Sequence, residues 1–161
     1  MRSHSADRLL AGRVQAGGGD ERDRRRPGAP GQRPRTWSDR PLRILIVEDE
    51  WFIAIESEAV LRDSGFEVVG IAVSADDAVA LAAEHEPDLV LMDIRLRGAR
   101  DGVDAAIEIR ERFDIPSLFA TAHSEPRLRA GADAAAPAGW LTKPFSDQQL
   151  LAAVRAALGG R

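Results

Sequence analysis

The residues of chemical interest stand at the ends of short apolar runs. Glu48 and Asp49 follow "RILIV", Asp93 closes "LVLM", Thr121 closes "SLFA", and Lys143 follows "GWLT". A buried strand has no need of a carboxylate at its end. Asp93 therefore either opens a surface loop or is held in place for reaction. If the carboxylates of Glu48, Asp49 and Asp93 converge, each pair of unit charges about 4 Å apart repels by about 4 kcal/mol at an effective dielectric of about 20. Such a cluster calls for a cation, and oxygen-only donors favour Mg²⁺, which takes carboxylate, carbonyl and water ligands. Lys143 is the single lysine in a chain that otherwise uses arginine for positive charge. That choice suits a place where a compact ammonium is needed and a broad guanidinium does not fit. Taken singly, each residue has an ordinary explanation: an Asp in a turn, a Thr in a strand, a Lys-Pro at the surface. Collected at one edge of one sheet, they favour a joint chemical role.

Placing them there requires alternating strands and helices from Arg43 onward. "RILIVE" (43–48), "EVVGIA" (67–72), "DLVLMD" (88–93), "SLFATA" (117–122) and "GWLTKPF" (139–145) read as strands. A first helix is expected from Asp49 or Glu50 to about Ser64, with Phe52, Ile55, Ala59 and Val60 at helical spacing and Gly65 as the stop. Ser74 caps a second helix that gathers Ala75, Ala78, Val79 and Ala82 on one face and ends before Pro87. A third runs from about Val103 to Phe113. The fourth is poor, with Gly131 inside and Pro137 near its end. A fifth opens with Ser146 and Gln149 in capping-box spacing. Strands separated by helices pair in parallel through right-handed crossovers. The expected fold is α/β: a three-layer, doubly wound (βα)5 flavodoxin-like sheet of order 2-1-3-4-5, whose reactive crevice lies beyond the C-terminal strand ends.

The composition divides the chain. Residues 1–40 carry ten Arg against five acidic residues, and 41–161 carry twelve Lys and Arg against twenty-one acidic residues, so the net charges are +5 and −9. The first part, with "RDRRRPGAPGQRPR", is rich in Arg, Gly and Pro without apolar period, and a disordered tail is expected over 1–40 with one folded domain over 41–161. Such a tail could contact nucleic acid, although Asp20, Glu21 and Asp23 weaken it for that use. With no cysteine, disulfides and thiolate sites are excluded. No apolar run approaches the roughly 20 residues of a membrane span, and a cytoplasmic protein is expected.

The motifs "ILIVEDE", "LVLMDIRL", "FATA" and "WLTKPF", with twenty-two residues from Thr121 to Lys143, resemble those of response regulator receiver domains over about Leu42–Leu158. "FATAH" is also similar to the "FATGY" sequence of a subgroup of mostly stand-alone regulators, with Ala122 and His123 in place of Gly and Tyr. The resemblance implies that Asp93 accepts a phosphoryl group from a histidine kinase or a histidine phosphotransfer protein. Glu48, Asp49, Asp93 and the Arg95 carbonyl would hold Mg²⁺. Lys143 would pair with the acyl phosphate and Thr121 would bond another of its oxygens, while Trp140 on strand five turns inward as Thr121 moves. Arg95 and His123 would border the attacking water. Arg97 stands where relatives usually carry proline, and Gly102 comes one residue late, so a longer and more mobile loop is expected there.

The leading expectation is a stand-alone phosphorylation switch in a two-component system, its output a protein partner, with a homodimer left open and nucleic acid and membrane disfavoured. It would be no enzyme beyond its own phosphorylation and dephosphorylation. Two alternatives are a nucleic-acid-binding regulator acting through the basic tail and a Mg²⁺-dependent aspartyl phosphohydrolase. The second commonly needs an acid two residues after the nucleophile, where this chain has Arg95.

Overall fold

The computed structural model describes residues 40–122 and 126–159, without the side chains of 126–128. Residues 1–39 of the tail expected over 1–40, and His123, lie outside the described residues. Five strands and their helices alternate along the chain: β1 (Arg43–Val47), α1 (Trp51–Asp63), β2 (Glu67–Ala72), α2 (Ala75–His85), β3 (Leu89–Asp93), α3 (Gly102–Phe113), β4 (Ser117–Thr121), α4 (Pro126–Ala132) with a 3₁₀ turn at Asp133–Ala135, β5 (Gly139–Thr142) and α5 (Asp147–Gly159). All pairings are parallel, in the order β2-β1-β3-β4-β5. The doubly wound topology is the expected one, and β1, β3 and β4 lie side by side.

The sheet is buried on both faces, which accounts for its unbroken apolar runs. Successive side chains point to opposite faces. Leu45, Val47, Val90, Met92 and Phe119 pack with α2 and α3 in one core, while Ile44, Ile46, Leu89, Leu91, Leu118 and Leu141 pack with α1 and α5 in the other. Every residue of β3 and β4 is buried. Asp93 and Thr121 are therefore held at the ends of the two most rigidly enclosed strands.

Local sequence explains most element ends. Ser74 Oγ accepts the Asp77 N–H at 3.2 Å, and α2 buries Ala75, Ala78, Val79 and Ala82 as anticipated. Asp101 and Asp104 form a reciprocal capping box on α3. In α5 the Gln149 N–H donates to Ser146 Oγ at 3.3 Å and the Ser146 N–H to Gln149 Oε1 at 2.9 Å. Gly65 follows α1 with φ of 88°, a left-handed turn that favours glycine. β5 ends at Thr142, short of the expected 145, because Pro144 has no N–H for the ladder.

The face of α1 differs from expectation. Ala54, Ser57 and Leu61 point inward, whereas Phe52 is 88% exposed and Ile55 39% exposed, with Trp51 also outward. Both sets recur at helical spacing, and of the expected set Val60 packs partly buried against the core. Arg40, assigned to the tail by composition, is fixed: its guanidinium donates to both oxygens of buried Asp88 at 3.0 and 2.9 Å. Among the described residues no helix is long and apolar enough to cross a membrane.

Candidate functional site

The C-terminal ends of β1, β3, β4 and β5 bring the predicted residues to one crevice. Glu48 follows β1, its N–H donating to the Ala72 carbonyl at 2.9 Å. Asp93 ends β3 and is 6% exposed, and Thr121 ends β4 and is 2% exposed. Thr121 stands in register with Thr142, and the Lys143 N–H donates to the Thr121 carbonyl at 2.9 Å, so Lys143 enters from the neighbouring strand end.

Lys143 Nζ bridges two carboxylates, at 2.5 Å from Glu48 Oε2 and 3.0 Å from Asp93 Oδ2. Asp93 Oδ1 accepts the Arg95 N–H at 3.0 Å, and Glu48 Oε1 accepts the Glu50 N–H at 3.0 Å. Both carboxylates are thus oriented by backbone as well as by the ammonium. Ligand oxygens of Glu48, Asp49 and Asp93 lie within 4.8 Å of one another. This spacing and an all-oxygen donor set fit a small hard cation such as Mg²⁺.

The electrostatics reflect an excess of acid. Burial pushes the Glu48 carboxyl above its ordinary range and the Asp93 charge adds to this, against the opposing bonds from Lys143 and the Glu50 N–H. Burial also works against the charge on Lys143, but the Glu48 bond and the charge and bond of Asp93 outweigh it, so its pKa is raised and the ammonium is retained.

Two contacts were not foreseen from the sequence. Arg97 Nε pairs with Asp49 Oδ2 at 3.1 Å, a contact that loop length alone could not indicate. A Cβ at Gly102 would fall 1.9 Å from the Asp93 carbonyl oxygen, and the Gly102 N–H donates to the Ile94 carbonyl at 2.8 Å. The late glycine is therefore where α3 touches the backbone carrying Asp93. Trp140 is half-buried; its ring stacks on Phe119 at 5.0 Å, and the Arg129 guanidinium of α4 covers it at 4.9 Å. Arg95 brings its N–H to Asp93, while its side chain is exposed.

The sequence profile of the response regulator receiver domain matches residues 44–155. The chain belongs to this family. It is 42% identical over 118 residues to the transcriptional regulatory protein PdtaR of Mycobacterium tuberculosis, an alignment covering 73% of this chain and 57% of the relative. It is 36% identical over 122 residues to the phyllosphere-induced regulator PhyR of Methylorubrum extorquens, covering 75% and 45% respectively. The chain thus spans about half the length of these curated relatives. Among solved structures, the receiver domain of a modulated diguanylate cyclase from Desulfovibrio desulfuricans matches with a TM-score of 0.70 at 31% identity, over 76% of this chain and 96% of that one. The PhyR receiver domain of Erythrobacter litoralis matches with a TM-score of 0.66 at 32% identity, over 74% and 92%. A receiver domain implies phosphorylation-dependent signalling.

Proposed function

We propose that this receiver domain is a switch in which Asp93 is the phosphoacceptor. The observation that carries this reading is the setting of Asp93. Its carboxylate is buried at the end of a rigid strand, oriented through one oxygen by the Arg95 N–H and through the other by Lys143, and flanked by Glu48 and Asp49. In the transfer a carboxylate oxygen of Asp93 forms a bond to phosphorus as the bond from phosphorus to the donor's imidazole nitrogen breaks. The bonding pair stays on that nitrogen. Lys143, already 3.0 Å from Asp93, neutralises charge developing on the equatorial oxygens.

Glu48, Asp49 and Asp93, with the Arg95 carbonyl, would hold Mg²⁺. When bound, the ion supplies charge neutralisation of the phosphoryl oxygens. Thr121 is the hydroxyl residue at the neighbouring strand end, and its movement toward the acyl phosphate is the switch. Trp140 reads that movement from β5, where its stacking on Phe119 and its cover by Arg129 tie it to β4 and α4. The output is a changed surface for a protein partner, and the domain catalyses only its own phosphorylation and dephosphorylation.

The test is incubation with Mg²⁺ and acetyl phosphate followed by intact-mass measurement. A gain of one phosphoryl group, absent in Asp93→Asn, is expected. An unchanged wild-type mass, or an equal gain in Asp93→Asn, would refute the assignment.

A further inference from the structure

Among the described residues, the carboxylate cluster is countered by two side-chain cations, and they are not equivalent. Lys143 is enclosed, 11% exposed, and bonded to both Glu48 and Asp93. Asp49 receives neither of these bonds. Its counter-charge is Arg97, which reaches in from the β3–α3 loop with Nε 3.1 Å from Asp49 Oδ2. The Arg97 side chain is 87% exposed while that of Asp49 is 14% exposed. Among the described residues Asp49 is the polar partner of Arg97, so solvent surrounds the rest of a long, rotatable side chain.

Asp49 is also one of the three carboxylates spaced to hold a cation. A divalent ion on that cluster and a guanidinium on the same carboxylate are like charges separated by only a few ångströms. Their repulsion is strong even when it is screened by nearby solvent. Because the Arg97 end of the pair lies in solvent, the attraction is screened and the guanidinium is rehydrated as it leaves, so its displacement costs little. We propose that Arg97 is a resident competitor for the divalent-cation site: it neutralises Asp49 while the site is free of metal, is displaced when the ion binds, and so sets the ion affinity of this domain. The inference rests on the reading of Glu48, Asp49 and Asp93 as a cation site and adds to it a residue that determines affinity without ligating the ion.

The proposal is tested by titrating the full chain with Mg²⁺, and separately with Mn²⁺, using isothermal titration calorimetry at fixed ionic strength. The wild type is compared with Arg97→Ala, Asp49→Asn and Arg112→Ala. The last removes one positive charge from an exposed pair on α3 and controls for net charge. Arg97 is exposed, and circular dichroism establishes that its variant is folded. Arg97→Ala should bind about threefold to tenfold more tightly than wild type, Arg112→Ala should stay within about twofold, and Asp49→Asn should lose binding. If wild type binds and Arg97→Ala binds equally or less tightly, the competitor role is refuted while the cation site stands. An equal gain in Arg112→Ala also refutes it, since the effect is then one of net charge alone. If neither wild type nor Arg97→Ala binds either ion, the cation site itself is refuted, and the inference falls with it.

Discussion

At the scale of single residues, Lys143 shows how a side chain is chosen by the space it occupies. Its ammonium fits between carboxylate oxygens at 2.5 and 3.0 Å in an enclosed crevice. A guanidinium is planar and wider and cannot take both contacts from the same point. Lys143→Arg should fold yet accept phosphoryl groups from acetyl phosphate at a rate at least about tenfold lower, as expected when a positioned charge is lost from the reacting oxygens. Glu48 supplies a prediction in the opposite direction, for stability. Its pKa is raised on folding, chiefly by burial. Its contribution to stability is fully present below the ordinary glutamate value, where it is protonated, and is lost as pH rises through the folded value. At neutral pH the ionised group therefore opposes folding. Glu48→Gln should raise the melting temperature in chelator, with the gain over wild type opening as pH climbs from acid toward neutral and narrowing when Mg²⁺ is added to the wild type. Differential scanning fluorimetry across that pH range provides the check.

At the scale of elements, the site depends on how closely α3 meets the end of β3. Gly102 is the first residue of α3 and leaves no room for a side chain, since an added Cβ would lie 1.9 Å from the Asp93 carbonyl oxygen and 3.0 Å from the Ile94 Cα. The obstructing atoms are backbone, so the strand end and the helix must separate. Gly102→Ala should cost about 1–3 kcal/mol, the usual range for overpacking, and should slow phosphorylation as well, because the peptide that moves is the one carrying Asp93. Urea melts and the acetyl phosphate assay measure the two effects independently. A destabilised variant with an undiminished rate would break the link between this packing and the site. The α1 helix makes a different point at the same scale. Its two candidate stripes have similar periodicity, and packing on the sheet buries Ala54, Ser57 and Leu61 while leaving Phe52 and Ile55 exposed.

At the scale of the whole molecule, the end of the sheet opposite the crevice has its own fastening. Buried Asp88, just before β3, accepts both arms of the Arg40 guanidinium and also the Arg43 N–H at 2.9 Å. The bond to Asp88 is the main reason that the Arg40 pKa is raised. This clamp joins the entry to β1 to the start of β3, forty-eight residues on. Arg40 is half exposed, which reduces the value of its charge pair, but Asp88→Ala also leaves a backbone N–H without its acceptor. The expected loss is about 1–3 kcal/mol with the phosphorylation rate at 25 °C nearly unchanged, since the clamp is at the far edge from Asp93. A thermal melt alongside the mass assay would separate these outcomes, and a large loss of rate in a folded variant would contradict it.

The sequence by itself determined the architecture and the convergence of the candidate site residues. Apolar runs alternating with capped helices allow little besides a parallel doubly wound sheet. In that topology Glu48, Asp49, Asp93, Thr121 and Lys143 must meet at one edge, because each directly ends or follows a strand. The tertiary structure alone decided what depends on sidedness and on contacts across the chain. Which stripe of α1 faces the sheet, the hold of Asp88 on Arg40, the approach of Gly102 to the Asp93 carbonyl and the reach of Arg97 to Asp49 are of this kind. Periodicity fixes the spacing of side chains along an element, whereas these contacts join residues distant in sequence or across a loop, and their geometry is set only when the elements pack.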